Sequence, residues 1–296
     1  MDTRLLQTFS VLARTGSFTA AAGELHLSQS TVTVHIRTLE KELGARLFDR
    51  LPRGARLTSA GRRLLAGAEE VLDAETRLRA AAAGGGPAAG RVVVGAGETL
   101  CSTRLPGVVA ALRGGHPGID VHLYAAGTEA GVEGLRAGRL DVALLLEEQV
   151  GAADLTAEAV GAEPLVLVAA AGHPLTVPGR RATWEELAAE PFFLHEQGCS
   201  YSDRLARRLL ALPGEPPRLT RFGSIEAARS CVAAGLGLTL LPRACVAGGL
   251  RDGSLAVVDG PAVPDVPVQL VRHRSRWASP AVLAVVDEVR RGFAAA

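Results

Sequence analysis

Ser28-Gln-Ser-Thr-Val-Thr-Val-His-Ile-Arg-Thr-Leu-Glu-Lys-Glu-Leu43, closed by Gly44, is the stretch on which the reading of this chain turns. Val32, Ile36, Leu39 and Leu43 recur at helical spacing and form a single apolar stripe. The other face carries Gln29, Ser30, Thr33, His35, Arg37 and Lys41. Ser28 offers an N-cap oxygen and Gly44 a C-terminal stop. Upstream, Leu5, Leu6, Phe9 and Leu12 predict a first helix ending at Gly16. Ser17 and Thr19 then open a short Ala-rich helix over Ala20 to Leu25, broken at His26-Leu27. A short helix, a tight turn and a second helix with small polar residues in its first turns make a helix-turn-helix. Small side chains let such a helix enter a major groove end-on, where Gln and Thr reach base edges.

Downstream, Phe48 to Thr58 reads as two short strands around a Pro-Arg-Gly turn, a basic tip fit for a neighbouring minor groove. Charge agrees with that placement. Residues 1–62 hold nine Arg or Lys against five Asp or Glu, a net +4, although the whole chain of 296 residues balances at +1. A basic head on a mildly acidic body is the footprint of a nucleic-acid reader joined to something else. Thr58-Ser-Ala-Gly61 starts a long helix through about Ala82, in which Leu64, Val71 and Leu78 recur every seven residues. That seam fits packing either on a partner helix or on its own domain. Ala83-Gly-Gly-Gly-Pro-Ala-Ala-Gly90 is the clearest boundary in the chain.

The run Phe9 to Leu64 resembles the winged helix-turn-helix of LysR-type transcriptional regulators, through GSFTAAAGELHLSQSTVTVHIRTLEKELGARLFDR and LTSAGRRLL in the family order. The resemblance implies that Ser28, Gln29, Ser30, Thr31 and Thr33 face DNA, that Arg37 and Arg50 hold phosphates, and that Arg53 sits in the wing. Val34 and His35 depart from the usual Arg and Gln; His35 reads as a DNA contact or as a solvated surface residue. The same resemblance makes the long helix a dimerisation helix, and with it come a homodimer, a tetramer built from two dimers, an interrupted dyad in double-stranded DNA and an output on RNA polymerase.

From Arg91 the pattern alternates strand and helix. Buried strands are predicted at Arg91–Gly97, Val142–Leu146 and Leu165–Val168, a half-polar one at Ile119–Tyr124, and helices over Arg104 to Gly114 and Glu129 to Ala137. Further on come a Thr183-Trp-Glu-Glu186 capping box, strands at Phe192–Leu194, Leu219–Phe222, Leu238–Leu241 and Val268–Val271, and a helix from Pro280 to Phe293. Two α/β sets predict two lobes, with ligands bound at the carboxyl ends of strands. The expected organisation is a head (1–58), a linker helix (59–83), a hinge (84–90), lobe I (91–162 and 267–296) and lobe II (163–266).

This body resembles the effector-binding part of the same family, built like a periplasmic binding protein. It is most like members with Glu98-Thr99 after the first strand and a Gly198-Cys-Ser-Tyr201 turn. Thr99, Ser102, Thr128, Cys199, Ser200 and Ser224 fall at helix starts and are the candidate effector residues, suited to a small carboxylate, although each is also explained as an N-cap. If Glu98, Glu147 and His195 line the same cleft, an amine or amphoteric ligand gains ground. Cys199, at a helix start expected to lower its thiol pKa, is a candidate redox switch or simply a small residue in a ligand-lining turn.

Other classes are excluded on motif grounds. With 48% apolar and 21% charged residues the chain is globular, and the longest uncharged apolar run, Cys231 to Pro242, falls short of the ~20 residues that span a bilayer. The N-terminus lacks the apolar core of a secretory signal, and four cysteines without metal-type spacing suit a reduced cytoplasm. No phosphate loop, HExxH or GxSxG occurs, and Gly95-Ala-Gly97 lacks the rest of a dinucleotide fingerprint. The expectation is a regulator with no cofactor, no metal, no catalysis and no membrane partner.

Overall fold

A computed structural model describes residues 2–51, 54–82, 87–195 and 198–294. The wing-tip residues Pro52 and Arg53 and the Gly84–Gly86 core of the expected hinge lie outside the described residues, as does the side chain of Arg50. The chain forms two compact units, one mainly up to Pro87 and one from Ala88 onward.

In the N-terminal unit, α1 (Thr3–Thr15), α2 (Phe18–Leu25) and α3 (Gln29–Leu43) are followed by the hairpin β1 (Phe48–Leu51) and β2 (Gly54–Leu57), then by α4 (Ser59–Ala82). Side-chain caps mark each start: Asp2, Ser17 and Ser28 accept from Arg4, Ala20 and Thr31 backbone N–H groups. The turn between α2 and α3 depends on His26, which holds the left-handed conformation (φ 53°). The core gathers Leu6, Phe9, Leu12, Val32, Ile36, Leu39 and Leu47, with Phe9 and Phe48 rings 5.5 Å apart at 58°. Glu40 joins α3 to the hairpin by accepting from the Leu47 and Phe48 N–H groups at 2.8 and 3.3 Å. Gly61 lies where α4 crosses the hairpin, and a Cβ there would stand 2.3 Å from the Leu47 carbonyl. Any larger residue must part the two backbones. Along α4 the seven-residue seam divides: Leu64, Leu65 and Leu72 pack on the head core, but Val71 and Leu78 are exposed at 40% and 72%.

The C-terminal unit opens with β3 (Gly90–Ala96), α5 (Glu98–Thr103), α6 (Leu105–Gly115), β4 (Ile119–Ala125), α7 (Thr128–Arg136), β5 (Val142–Leu146) and β6 (Leu155–Glu163). Next come β7 (Leu165–Ala170), α8 (Trp184–Ala188), β8 (Phe192–His195), α9 (Ser200–Leu210), β9 (Leu219–Phe222), α10 (Ile225–Ala233), β10 (Thr239–Pro242), α11 (Arg243–Asp252), β11 (Leu255–Val257), β12 (Val266–His273) and α12 (Pro280–Ala294). Two sheets result. Lobe I is a five-stranded sheet in the order β4-β3-β5-β12-β6, parallel between β3 and its neighbours and antiparallel where β12 meets β5 and β6. Lobe II holds the antiparallel set β10-β7-β11 and the parallel pair β8-β9, bridged between Phe192 and Leu238. That bridge brings the chain so close that a Cβ on Gly237 (φ 153°) would sit 2.3 Å from the Pro191 carbonyl.

The chain crosses between the lobes at Glu163-Pro164 and returns before Val266. Glu163 is fully buried there, with Arg104 Nε 2.6 Å from one carboxylate oxygen and the guanidinium 5.7 Å from the Phe293 ring.

Three segments differ from their sequence reading. The helix read from Arg104 to Gly114 forms as α6, with Pro106 in its first turn, but the short helix α5 ahead of it has no counterpart in the sequence reading. β6, whose residues Thr156 to Glu158 are exposed, lacks the apolar run that would announce it, and α11 was hidden by its glycines. Both form because a neighbouring element supplies their partner.

Candidate functional sites

Helix α3 presents the first candidate surface. Ser28, Gln29, Ser30 and Arg37 are exposed, and Thr31, Thr33 and His35 are half-buried. The hydroxyls of Ser28, Ser30 and Thr31 form one network, with Ser28 Oγ 2.7 Å from Ser30 Oγ and 2.8 Å from Thr31 Oγ1. The first turn is thereby pre-ordered, and a polar ligand meets groups that need little reorganisation. His35 is engaged inside the unit: its Nδ1 lies 2.8 Å from Thr8 Oγ1. Thr8 already donates its only hydroxyl proton to the Arg4 carbonyl at 2.9 Å, so Nδ1 is the donor to Thr8. Val34 stands 57% exposed on the polar face, an apolar group suited to a thymine methyl that motif reasoning treated only as a departure from the family pattern.

The second candidate site is a cavity of about 230 Å³ between the lobes of the C-terminal unit. Its walls bring together Thr99, Thr128, Cys199 and Ser200 from the predicted set, with Glu98, Glu129 and His195 beside them. The loop after β3, the start of α7, the end of β8 and the start of α9 supply these groups, all at strand-to-helix passages. Ser102 and Ser224 are not in the wall. Ser102 donates to the Glu98 and Thr99 carbonyls, and Ser224 caps α10 by accepting from Ala227 N–H at 3.4 Å.

The hydroxyls are not waiting for an anion. Thr128 donates to Glu147 at 2.6 Å, and Ser200 donates across to the Leu146 carbonyl of lobe I. Glu98 also spans the lobes, accepting from Ile225 N–H at 3.1 Å with His195 Nε2 at 3.8 Å.

Burial pushes the Glu147 carboxyl up, against the hydrogen bond from Thr128 that holds it down, with Glu148 and Asp203 adding to the rise. A carboxyl raised in the folded state contributes stability present below its unfolded value and lost as pH climbs through the folded one. Glu147→Gln keeps an acceptor for Thr128 and removes the charge. The variant is therefore expected to melt about 1–3 °C higher than the parent at pH 7.5 and level with it near pH 4. Calorimetry at the two pH values checks this, and a lower melting point at pH 7.5 would contradict it.

The expectation for the Cys199 thiol is corrected. Burial pushes it up, and contacts with Ser202 and Tyr201 offset this only in part. Although Cys199 is the N-cap of α9, its side chain makes no cap bond. A thiol so desolvated is a poor nucleophile, so the small-residue reading fits this turn better than the redox one.

A winged helix-turn-helix unit and a two-lobed α/β unit enclosing a small cavity define a DNA-binding regulator with a ligand-sensing domain. Two family profiles divide the chain accordingly: a bacterial regulatory helix-turn-helix protein of the lysR family over residues 3–62, and a LysR substrate binding domain over residues 85–294. The protein belongs to the LysR family and is a DNA-binding transcriptional regulator with an effector-binding domain, not an enzyme. It is similar to the HTH-type transcriptional regulator GltR of Bacillus subtilis (strain 168), 31% identical over 297 residues that cover 99% of this chain and 97% of GltR. Among solved structures, full-length OxyR from Pseudomonas aeruginosa superposes with TM-score 0.79 at 27% identity, covering 98% of this chain and 95% of that one. Full-length CbnR complexed with its target DNA gives TM-score 0.61 at 26% identity, covering 99% and 100%. No helix among the described residues is long and apolar enough to cross a membrane.

Proposed function

We propose that α3 reads operator DNA through Ser28, Gln29, Ser30, Thr31, Thr33 and His35, that Arg37, Arg50 and Arg53 contact the backbone or adjacent groove, and that a small effector binds in the cavity at Thr99, Thr128, Cys199 and Ser200. Ser102 and Ser224 shape its edges. The observation that carries the reading is the exposed polar face of α3, whose first turn is capped and ordered by the Ser28 network. Val71 and Leu78, apolar and exposed on α4, support a homodimer through that helix. Two-fold symmetry then calls for paired half-sites, an interrupted dyad, and two dimers joining as a tetramer would span it. The reading places the protein in the cytoplasm, where it acts on transcription by RNA polymerase.

The effector shifts the regulator by binding one arrangement better than another, and DNA affinity feels the same coupling. Fluorescence anisotropy with the DNA upstream of the protein's own gene, at several salt concentrations and against scrambled DNA, tests the DNA half. Affinity is expected to fall with salt. Arg37→Ala should shrink the log–log salt slope by about 1 with similar losses on both DNAs. Thr33→Ala should instead cost about 1–3 kcal/mol on the operator alone. A folded, dimeric protein that binds no DNA at low salt would overturn the reading.

A further inference from the structure

We infer that the effector of this regulator carries a protonated amine on a short aliphatic body, with Glu98 as its carboxylate partner. This rests on the cavity being the effector site. Among the described residues lining the cavity, Glu98 and Glu129 are the acids, and neither lysine nor arginine is present. An anion entering there would meet two carboxylates and, among the described residues, no lysine or arginine to balance them. The hydroxyls of Thr128 and Ser200 do not supply the missing donors, because their protons are engaged with the Glu147 carboxylate and the Leu146 carbonyl. Their free lone pairs make the wall richer still in acceptors. At α10 the first amide is also taken, since Ile225 N–H donates to Glu98 itself.

His195 adds an independent sign. Its side chain is only 12% exposed, yet neither ring nitrogen finds a hydrogen-bond partner among the described residues. Buried polar atoms are nearly always satisfied, so an orphaned imidazole lining a cavity marks a place for a polar guest. In a neutral ring one nitrogen accepts, and an ammonium group between it and Glu98 would satisfy both. The remaining wall, Leu144, Leu145, Ala130 and Ile225, is aliphatic and suits a few methylenes. Glu98 belongs to lobe I and His195 to lobe II, so an ammonium held by both ties the lobes together. That gives the ligand the differential affinity for one arrangement that regulation requires.

Three four-carbon probes of matched shape separate the chemistry: n-butylamine, 2-aminobutyrate and butyrate, followed by thermal shift and calorimetric titration of the full-length protein. One or both ammonium-bearing probes should stabilise the protein, with butyrate inert, and Glu98→Gln should weaken binding by about tenfold or more. That variant keeps an acceptor for Ile225 N–H, so its own melting point should match the parent. Ala130→Trp fills the cavity and should abolish binding. Butyrate bound in preference to the amines and blocked by Ala130→Trp would overturn the amine and leave the cavity as effector site. Binding indifferent to Ala130→Trp would overturn the cavity reading itself. No stabilisation by either ammonium probe, or amine binding unchanged in Glu98→Gln, would also overturn the proposal.

Discussion

Phe9→Ala is expected to unfold the N-terminal unit and to lower DNA affinity by at least about a hundredfold. Phe9 is fully buried, its ring stacks obliquely on Phe48, and Leu6, Leu12, Ile36 and Leu39 surround it in the same cluster. Removing a buried phenylalanine ring costs about 3–5 kcal/mol, the lost transfer energy plus the cavity that remains. A head of this size has only about 3–5 kcal/mol of core stability to lose. The loss therefore takes the whole unit, and α3 with it, although Phe9 is itself fully buried. Circular dichroism should show the first transition displaced by more than about 10 °C, because a small domain shifts about 4–8 °C per kcal/mol. Phe9→Leu, which refills most of the space, should keep measurable binding. Parental affinity and melting in Phe9→Ala would show that the packing around Phe48 does not support the reader.

Arg104→Ala should destabilise the C-terminal unit by about 3–5 kcal/mol, well beyond the loss of an ordinary surface arginine. Its partner is the reason. Glu163 has no exposed surface, and one of its oxygens, Oε2, has no hydrogen-bond partner among the described residues. The guanidinium 2.6 Å away is what makes a charge tolerable in that place, and stacking over Phe293 holds it there. With Arg104 gone, the carboxylate is left desolvated at the strand end where the chain passes from lobe I to lobe II. Arg104→Met combined with Glu163→Leu removes both charges and should recover most of the loss, since a buried ion pair is often matched by apolar groups of like volume. Denaturant midpoints of the parent, both single variants and the double variant give the coupling energy directly. Additive effects would mean that the pair contributes nothing as a pair.

Much of the architecture is legible along the chain because it is local. The helix-turn-helix rests on contacts within a few residues: the Ser28 cap, the Val32-Ile36-Leu39 stripe and the stop at Gly44 are each visible in order. The Thr183 capping box formed with both its hydrogen bonds for the same reason. Strands buried on both faces, such as Val142–Leu146, announce themselves as apolar runs. β6 does not, because it lies at the sheet edge and its pairing with β12 joins residues more than a hundred positions apart.

Which residue types crowd the helix starts could be read from the chain; what their protons do could not. Thr128 and Ser200 look like anion donors in sequence, and they became acceptor-rich walls only when Glu147 and the Leu146 carbonyl folded within reach. Cys199 has the position of an activated thiol, but its pKa is governed by how much solvent the surrounding side chains remove. Likewise Glu163 gives no hint of its partner, since Arg104 lies 59 residues away. Helix caps, apolar periodicity and turn chemistry depend on neighbours in sequence, so the linear chain is enough to specify them. Hydrogen-bond direction, desolvation and the sign of charge inside a cavity depend on groups from distant segments, and those meet only in the folded molecule.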